Sequence, residues 1–147
     1  MIAIENLNEN NVEDICEIEK LTIETPWGIN ELKRELANKN AFYVCIRKDG
    51  IIAGYGGMWL SVGTADITNI AVLPSFRRTG IGSLIVKELL KKASDSGIRE
   101  INLEVNENNS GAIALYEKCG FCNVGIRKKY YNNKDNAIIM QFVNSED

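Results

Sequence analysis

Histidine occurs nowhere in the 147 residues. Proton transfer near neutral pH therefore falls to Glu, Asp, Tyr, Lys or Cys, and every histidine-based triad is excluded. Cysteine is sparse: Cys16, Cys45, Cys119 and Cys122 make a poor disulfide framework for a chain this long, so free thiols in a reducing, cytoplasmic compartment are expected. The apolar runs are too short to span a bilayer, and no membrane partner is expected. The opening "MIAIENLNENNVEDICEIEK" is acidic where an export signal needs a positive start and an apolar middle. Neither sign of charge dominates: 17 basic and 20 acidic residues leave a net charge of −3, with no general field to attract nucleic acid. Any anion site must be local.

What is present is an ordinary globular composition, 45% hydrophobic and 25% charged, in a length that buries one core. A single domain spanning residues 1–147 is predicted. "IAIENL" reads as a first strand, followed by a surface helix from Val12 to about Ile23 and a short second helix from about Asn30 to Ala37. "TPWG", residues 25–28, separates the two helices. "FYVCIRK" and "IIAGYGGMWL" flank Asp49-Gly50, a dipeptide suited to a type I′ hairpin turn, and Gly54, Gly56 and Gly57 suggest a bulge or a close backbone approach. A strand over Thr64 to Pro74, a helix from Gly80 to about Ser96, a strand in "IREINLEV" and a helix in "SGAIALYEKCG" follow. Two strands, "CNVGIRKKYY" and "NAIIMQFV", close the chain around a turn at residues 132–135. The order β-α-α-β-β-β-α-β-α-β-β is an α/β mixture whose hairpins rule out a fully parallel sheet.

A local cationic feature at a strand-to-helix junction is "PSFRRTGIGS". Arg77, Arg78, Gly80 and Gly82 sit between a strand end and a helix start, where unpaired N–H groups and the helix dipole favour an anion. No acidic residue occurs between Asp66 and Glu88. The lysine-hydroxyl end of a P-loop is missing, and a dinucleotide fingerprint would need glycine at Ile85. The residues alone leave two readings: a solvated strand-to-helix connection, or a cradle for another pyrophosphate-bearing ligand.

"NIAVLPSFRRTGIGSLIVKELL" resembles the coenzyme A loop of the GNAT superfamily of N-acetyltransferases, whose signature is Gln/Arg-x-x-Gly-x-Gly/Ala at such a junction. "LEVNENNSGAIALYEKCGF", the upstream "PWG" and the closing "RKKYY…DNAIIM" are similar to the branch that acetylates the N-terminal alanine of a small-subunit ribosomal protein. Gly28 and Asn136 depart from that branch, which usually has serine and an acidic residue there. The resemblance implies a mixed, mostly antiparallel twisted sheet of about seven strands flanked by about four helices. It implies acetyl-CoA as co-substrate, no metal, and direct transfer in a ternary complex by a monomer or weak dimer.

Roles follow from the same resemblance. Glu104 would be the general base, directly or through a water, and Tyr116 would return a proton to the leaving thiolate. Backbone groups of Ile70, Ala71 and Val72 would pair with the pantetheine arm and polarise the thioester carbonyl, with Asn109 bonding the same arm. Arg77, Arg78, Thr79, Gly80, Ile81, Gly82 and Ser83 would hold the pyrophosphate. Trp27, Tyr130 and Tyr131 would contact the acceptor. The residues themselves permit plainer roles: Glu104 a solvated strand residue opposite the Ile101, Leu103 and Val105 face, Tyr116 a core tyrosine, Asn109 a helix cap. Cys119-x-x-Cys122 lies at a helix end with no histidine near it, so structural cysteines are expected. An α-amine, with a pKa of about 8 against about 10.4 for lysine, is the easier acceptor. A lysine, polyamine or other small amine is the alternative, and a non-catalytic acyl-CoA-binding domain the alternative of another class.

Overall fold

The structure, a computed structural model, describes residues 1–22, 26–131 and 134–144, with the side chain of residue 131 excepted. The elements are β1 (Ile2–Asn6), α1 (Val12–Thr22), α2 (Ile29–Leu36), β2 (Ala41–Lys48), β3 (Ile51–Leu60) and β4 (Thr64–Val72), followed by α3 (Ile81–Asp95), β5 (Glu100–Asn106), α4 (Ser110–Lys118), β6 (Cys122–Tyr131) and β7 (Asp135–Val143). The described residues form a seven-stranded sheet in the order β1-β2-β3-β4-β5-β7-β6, flanked by four α-helices. The mixed, mostly antiparallel sheet expected above is present: β4 and β5 are the one parallel pair among the described strands. Ile23 and Thr25, placed at a helix end and in a turn, and Asn132 and Asn133, placed in the last turn, lie outside the described residues. No described helix is long and apolar enough to cross a membrane.

Strand alternation divides the core. On one face Val44, Ile46, Ile101, Leu103 and Val105 pack with Ile81, Ile85, Val86 and Leu89 of α3. On the other, Tyr43, Cys45, Ile52 and Tyr55 meet Val12, Ile15, Ile18 and Leu32 of α1 and α2. Each buried apolar side chain of this size contributes about 1.5–3 kcal/mol. The second strand of the hairpin has both features its glycines suggest. A Cβ on Gly56 would lie 2.4 Å from Ile85 Cγ2, so glycine lets α3 press onto the sheet. Asp49 (φ 52°) and Gly50 (φ 85°) turn the hairpin with the two positive φ values of a type I′ turn.

Two boundaries fall short of the predicted ones for physical reasons. β4 ends at Val72, not Pro74: proline has no N–H to extend a ladder, and Pro74–Phe76 instead form one 3-10 turn closed by Phe76 N–H to the Leu73 carbonyl at 2.9 Å. β5 starts at Glu100, two residues late, because the Ile98 N–H folds back to the Ala93 carbonyl (2.9 Å) to close α3.

The feature that positions the site is in β4. Between Gly57/Met58 of β3 and Asn69/Ile67 of β4 the register shifts, leaving Thr68 as an extra residue. Toward β5, the parallel ladder holds only from Thr64↔Glu100 to Asp66↔Asn102. Beyond it the two strands separate.

Candidate active site

Ile70, Ala71 and Val72 pair on one edge with Gly56, Tyr55 and Gly54 of β3, and their other edge has no ladder partner among the described strands. N–H and C=O groups on such an edge can bond an extended ligand as another strand would. The edge leads directly into the arginine-glycine turn. Arg78 (φ 62°) and Gly80 (φ 86°) adopt left-handed conformations there, and Gly80 is the N-cap of α3. Successive N–H groups in such a turn converge into an anion-binding concavity, reinforced by the helix dipole.

A cleft of about 620 Å³ runs along this edge. Ile70, Ala71, Val72, Arg77, Arg78, Gly80, Gly82, Ser83 and Asn109 all line it, together with Tyr116. Thr79 and Ile81 do not: the Thr79 hydroxyl donates to the Phe76 carbonyl, and Ile81, the first residue of α3, is buried against the sheet. Arg77 also braces the turn, donating from Nε to the Val72 carbonyl at 3.3 Å. A Cβ on Gly82 would stand 3.0 Å from Leu115, so that glycine keeps α3 close to α4 under the cleft. Phe76, Gly111, Ala112, Leu115, Lys118 and Thr22 also line it and were missed in the sequence; Phe76 stands directly before Arg77, whereas the others come from α1 and α4, which no spacing ties to the turn.

Tyr116 is the core tyrosine its spacing allows, and it stands where the core meets the cleft. It is buried, with its ring 5.9 Å from that of Phe121, and it faces the cleft. Two returns at the end of α4 fix it, Phe121 N–H to the Tyr116 carbonyl (2.9 Å) and Gly120 N–H to the Glu117 carbonyl (3.0 Å). Asn109 caps the same helix, accepting from the Ala112 N–H at 3.1 Å.

Glu104 lies two residues beyond the last β4–β5 pair, on the face opposite the core. It does not line the cleft. Its Oε1 accepts from Arg127 Nη2 at 2.9 Å, while Oε2 is buried with no hydrogen-bond partner among the described residues. Such an orphaned acceptor is costly unless a ligand or water serves it. On β4, burial raises the Asp66 carboxyl above its usual range, helped by the negative charges of Glu104 and Glu100.

The proposed acceptor residues divide. Trp27 stacks on Trp59 (6.2 Å between ring centres, 23° between planes), and Trp59 Nε1 donates to Glu35 at 2.5 Å. Tyr43 donates to the same Glu35 oxygen at 2.5 Å. Burial works to raise the Glu35 carboxyl, but the hydrogen bonds from Tyr43, Trp59 and Asn38 outweigh it and hold the carboxyl below its usual range. Tyr130 is half exposed on β6, with the Arg127 guanidinium 5.3 Å above its ring. Tyr131 ends β6 opposite Asp135, and its side chain lies outside the described residues. Asn136, where the related branch has an acid, pins the β6 bulge by accepting from the Lys129 N–H at 2.8 Å.

Glu19 was missed altogether. It is fully buried on α1, where its Oε1 accepts from the Trp27 N–H at 2.7 Å and its Oε2 accepts from the Tyr55 hydroxyl and from Asn69 Nδ2 (3.4 Å). Burial raises its pKa above the usual carboxylate range. The signal was there: Val12, Ile15, Cys16 and Glu19 follow helical spacing, which puts an acid on the apolar stripe. Cys16 and Cys45 are buried thiols, Cys119 is half-buried and Cys122 exposed, all free.

An open strand edge that runs into a basic glycine turn at a helix N-terminus has the shape and charge to take an extended ligand with a polyphosphate end. The chain belongs to the acetyltransferase (GNAT) family, whose model matches residues 12–121, and it is an N-acetyltransferase. A Bacillus subtilis protein provisionally named a ribosomal protein bS18-alanine N-acetyltransferase is 36% identical, over 94% of this chain and 93% of its own. The ribosomal protein bS18-alanine N-acetyltransferase of Haemophilus influenzae is 32% identical, over 95% and 97%. The crystal structure of the Escherichia coli ribosomal-protein-S18-alanine N-acetyltransferase superposes with a TM-score of 0.91 at 27% identity, covering 100% of this chain and 96% of that one.

Proposed function

We propose that this chain, as one catalytic domain over residues 1–147, transfers the acetyl group of acetyl-CoA to the α-amine of the N-terminal alanine of ribosomal protein bS18 in the cytoplasm. The whole-length likeness to relatives named for that reaction supports the acceptor. The observation that carries the chemistry is the shared opening between β4 and β5. The open Ile70–Val72 edge, Arg78, Gly80, Gly82 and Ser83 of the turn, and Tyr116 line the cleft that begins there, and Glu104 with its orphaned Oε2 follows the last rung.

The residues fit the donor. N–H groups of the Arg78–Ser83 turn and the α3 dipole accept the pyrophosphate, and Arg77 and Arg78 add charge. The β4 edge and Asn109 hold the pantetheine amides, and an N–H in Ile70 to Val72 faces the carbonyl oxygen on which negative charge builds. When bound, acetyl-CoA supplies an acyl carbon activated as a thioester. Glu104 takes a proton from the acceptor's ammonium group, directly or through a water, and releases it to solvent. The neutral amine forms the new C–N bond as the C–S bond breaks, Tyr116 protonates the departing sulfur, and the proton shed by the new amide nitrogen passes back to the Tyr116 phenolate, so both groups are restored. Trp27, Tyr130 and Tyr131 are the residues this reading assigns to contact with the acceptor.

The test is turnover of acetyl-CoA with a peptide copying the bS18 N-terminus, followed by free-thiol release, with the acetyl group located by mass spectrometry. Acetyl on the α-amine alone is expected. Acetylation of internal lysines or small amines with the α-amine untouched would overturn the acceptor, and no turnover with any amine would overturn the enzyme mechanism.

A further inference from the structure

Glu104 and Arg127 meet across an intervening strand. In the ladders Glu104 stands opposite Ile139 of β7 and Arg127 opposite Ala137, so the guanidinium reaches diagonally over β7 to the carboxylate. It holds one oxygen only. Oε1 accepts at 2.9 Å, and Oε2 is the buried atom that no described group satisfies. The charged neighbours on the other side are acids, Asp66 on β4 and Glu100 on β5 itself, and among the described residues Arg127 is the cation paired with Glu104.

Arg127 is itself held. The β6–β7 ladder breaks between Arg127 and Tyr131, Lys129 turns to a φ of 52°, and its N–H is bonded to Asn136 Oδ1. Near this bulge the Tyr130 ring lies under the guanidinium, 5.3 Å from Cζ. A long, half-exposed arginine loses considerable side-chain freedom in an ion pair, and a flat ring beneath it reduces the number of poses it can leave for. A carboxylate gripped at one oxygen has its rotamer fixed and its other oxygen's lone pairs aimed in one direction.

We propose that Arg127 is a positioning residue for the base: it anchors Glu104 through Oε1 and so holds the carboxylate in one pose beside the opening between β4 and β5, and Tyr130 steadies Arg127 in that pose. The inference rests on the reading of Glu104 as the general base. It gives the last hairpin a second task beside contacting the acceptor, since the strand that carries Tyr130 also sets the base.

The experiment uses the full chain, acetyl-CoA and the bS18 N-terminal peptide, with thermal midpoints recorded for each variant. Arg127→Ala is expected to lower kcat by about 10- to 100-fold, the scale of a misplaced catalytic group, with the KM for acetyl-CoA unchanged. Arg127→Lys, which keeps the charge but not the planar fork, should fall in between. Methylguanidinium added to Arg127→Ala should restore part of the rate and do nothing for the unaltered protein, a response that loss of fold stability cannot give. Glu104→Gln combined with Arg127→Ala should be no slower than Glu104→Gln alone, because both changes remove one function. Unchanged kcat in Arg127→Ala, a loss confined to the peptide KM, or losses that multiply in the double variant would each overturn the proposal while leaving Glu104 as the base. Unchanged kcat in Glu104→Gln would overturn the base assignment and this proposal together.

Discussion

The buried Glu19 offers the sharpest test of how the fold supports the site. Its carboxylate satisfies the Trp27 N–H, the Tyr55 hydroxyl and Asn69, joining α1, β3, the β4 bulge and the approach to α2. Glu19→Ala leaves two of these donors buried without an acceptor, at ~1–3 kcal/mol each, so a loss of ~4 kcal/mol is expected. For a chain of this size, with roughly 2–4 °C per kcal/mol, the melting midpoint should fall by roughly 8–16 °C. Glu19→Gln keeps the shape and one acceptor oxygen and should cost only ~1 kcal/mol. The pH dependence separates charge from shape. Burial raises the folded-state pKa of Glu19, so the fold favours the protonated acid; its contribution is full below the ordinary carboxylate range and is lost as pH rises through the raised pKa. Glutamine does not titrate, so the stability advantage of the unaltered protein over Glu19→Gln should shrink as pH rises through that window. Urea melts of both proteins from acid to neutral pH measure this, and the difference between them cancels every other titrating group. A difference that stays flat, or grows with pH, would refute the burial argument. Because Glu19 also holds the Trp27 backbone, Glu19→Gln should raise the peptide KM more than the acetyl-CoA KM.

Tyr116→Phe keeps the ring against Phe121 and removes only the hydroxyl, so kcat should fall by about 100-fold with the KM for acetyl-CoA little changed, measured by thiol release. Gly56→Ala places a methyl 2.4 Å from Ile85 Cγ2 and forces α3 off the sheet; an overpacking cost of ~2 kcal/mol should lower the midpoint by roughly 4–8 °C, and the acetyl-CoA KM should rise because α3 carries the turn. Thiol labelling should modify the exposed Cys122 in the native protein. Cys45, fully buried with its thiol pushed up to about 12 by that burial, should react only when denaturant opens the core.

What the sequence made legible, and what it did not, divides along a physical line. Signals carried by local backbone chemistry came through: Asp49-Gly50 set the hairpin, Pro74 stopped β4 within two residues, and Arg77-x-x-Gly80-x-Gly82 marked the turn, because each depends on neighbours in sequence. Ile70 to Val72 and Asn109 came by resemblance, since an open edge is a property of the sheet: β4 is open only because its ladder with β5 ends after three pairs. The residues that were missed are those whose meaning is made across the sheet. Arg127 is one more cation in "IRKKYY" until β7 brings it over Glu104, 23 residues away. Glu35 is one more helix acid until Tyr43 and Trp59 both donate to it. Glu19 alone betrayed itself locally, and only as a fault in an apolar stripe. The donor half of the site therefore follows from a short segment, whereas the acceptor half depends on contacts between β5, β6 and the α1–α2 region. That asymmetry has a mechanistic counterpart. On the proposed reading one turn would suffice to bind a pyrophosphate, whereas choosing an amine and removing its proton would take groups from several strands, so changes among those groups would alter the acceptor step without disturbing the donor.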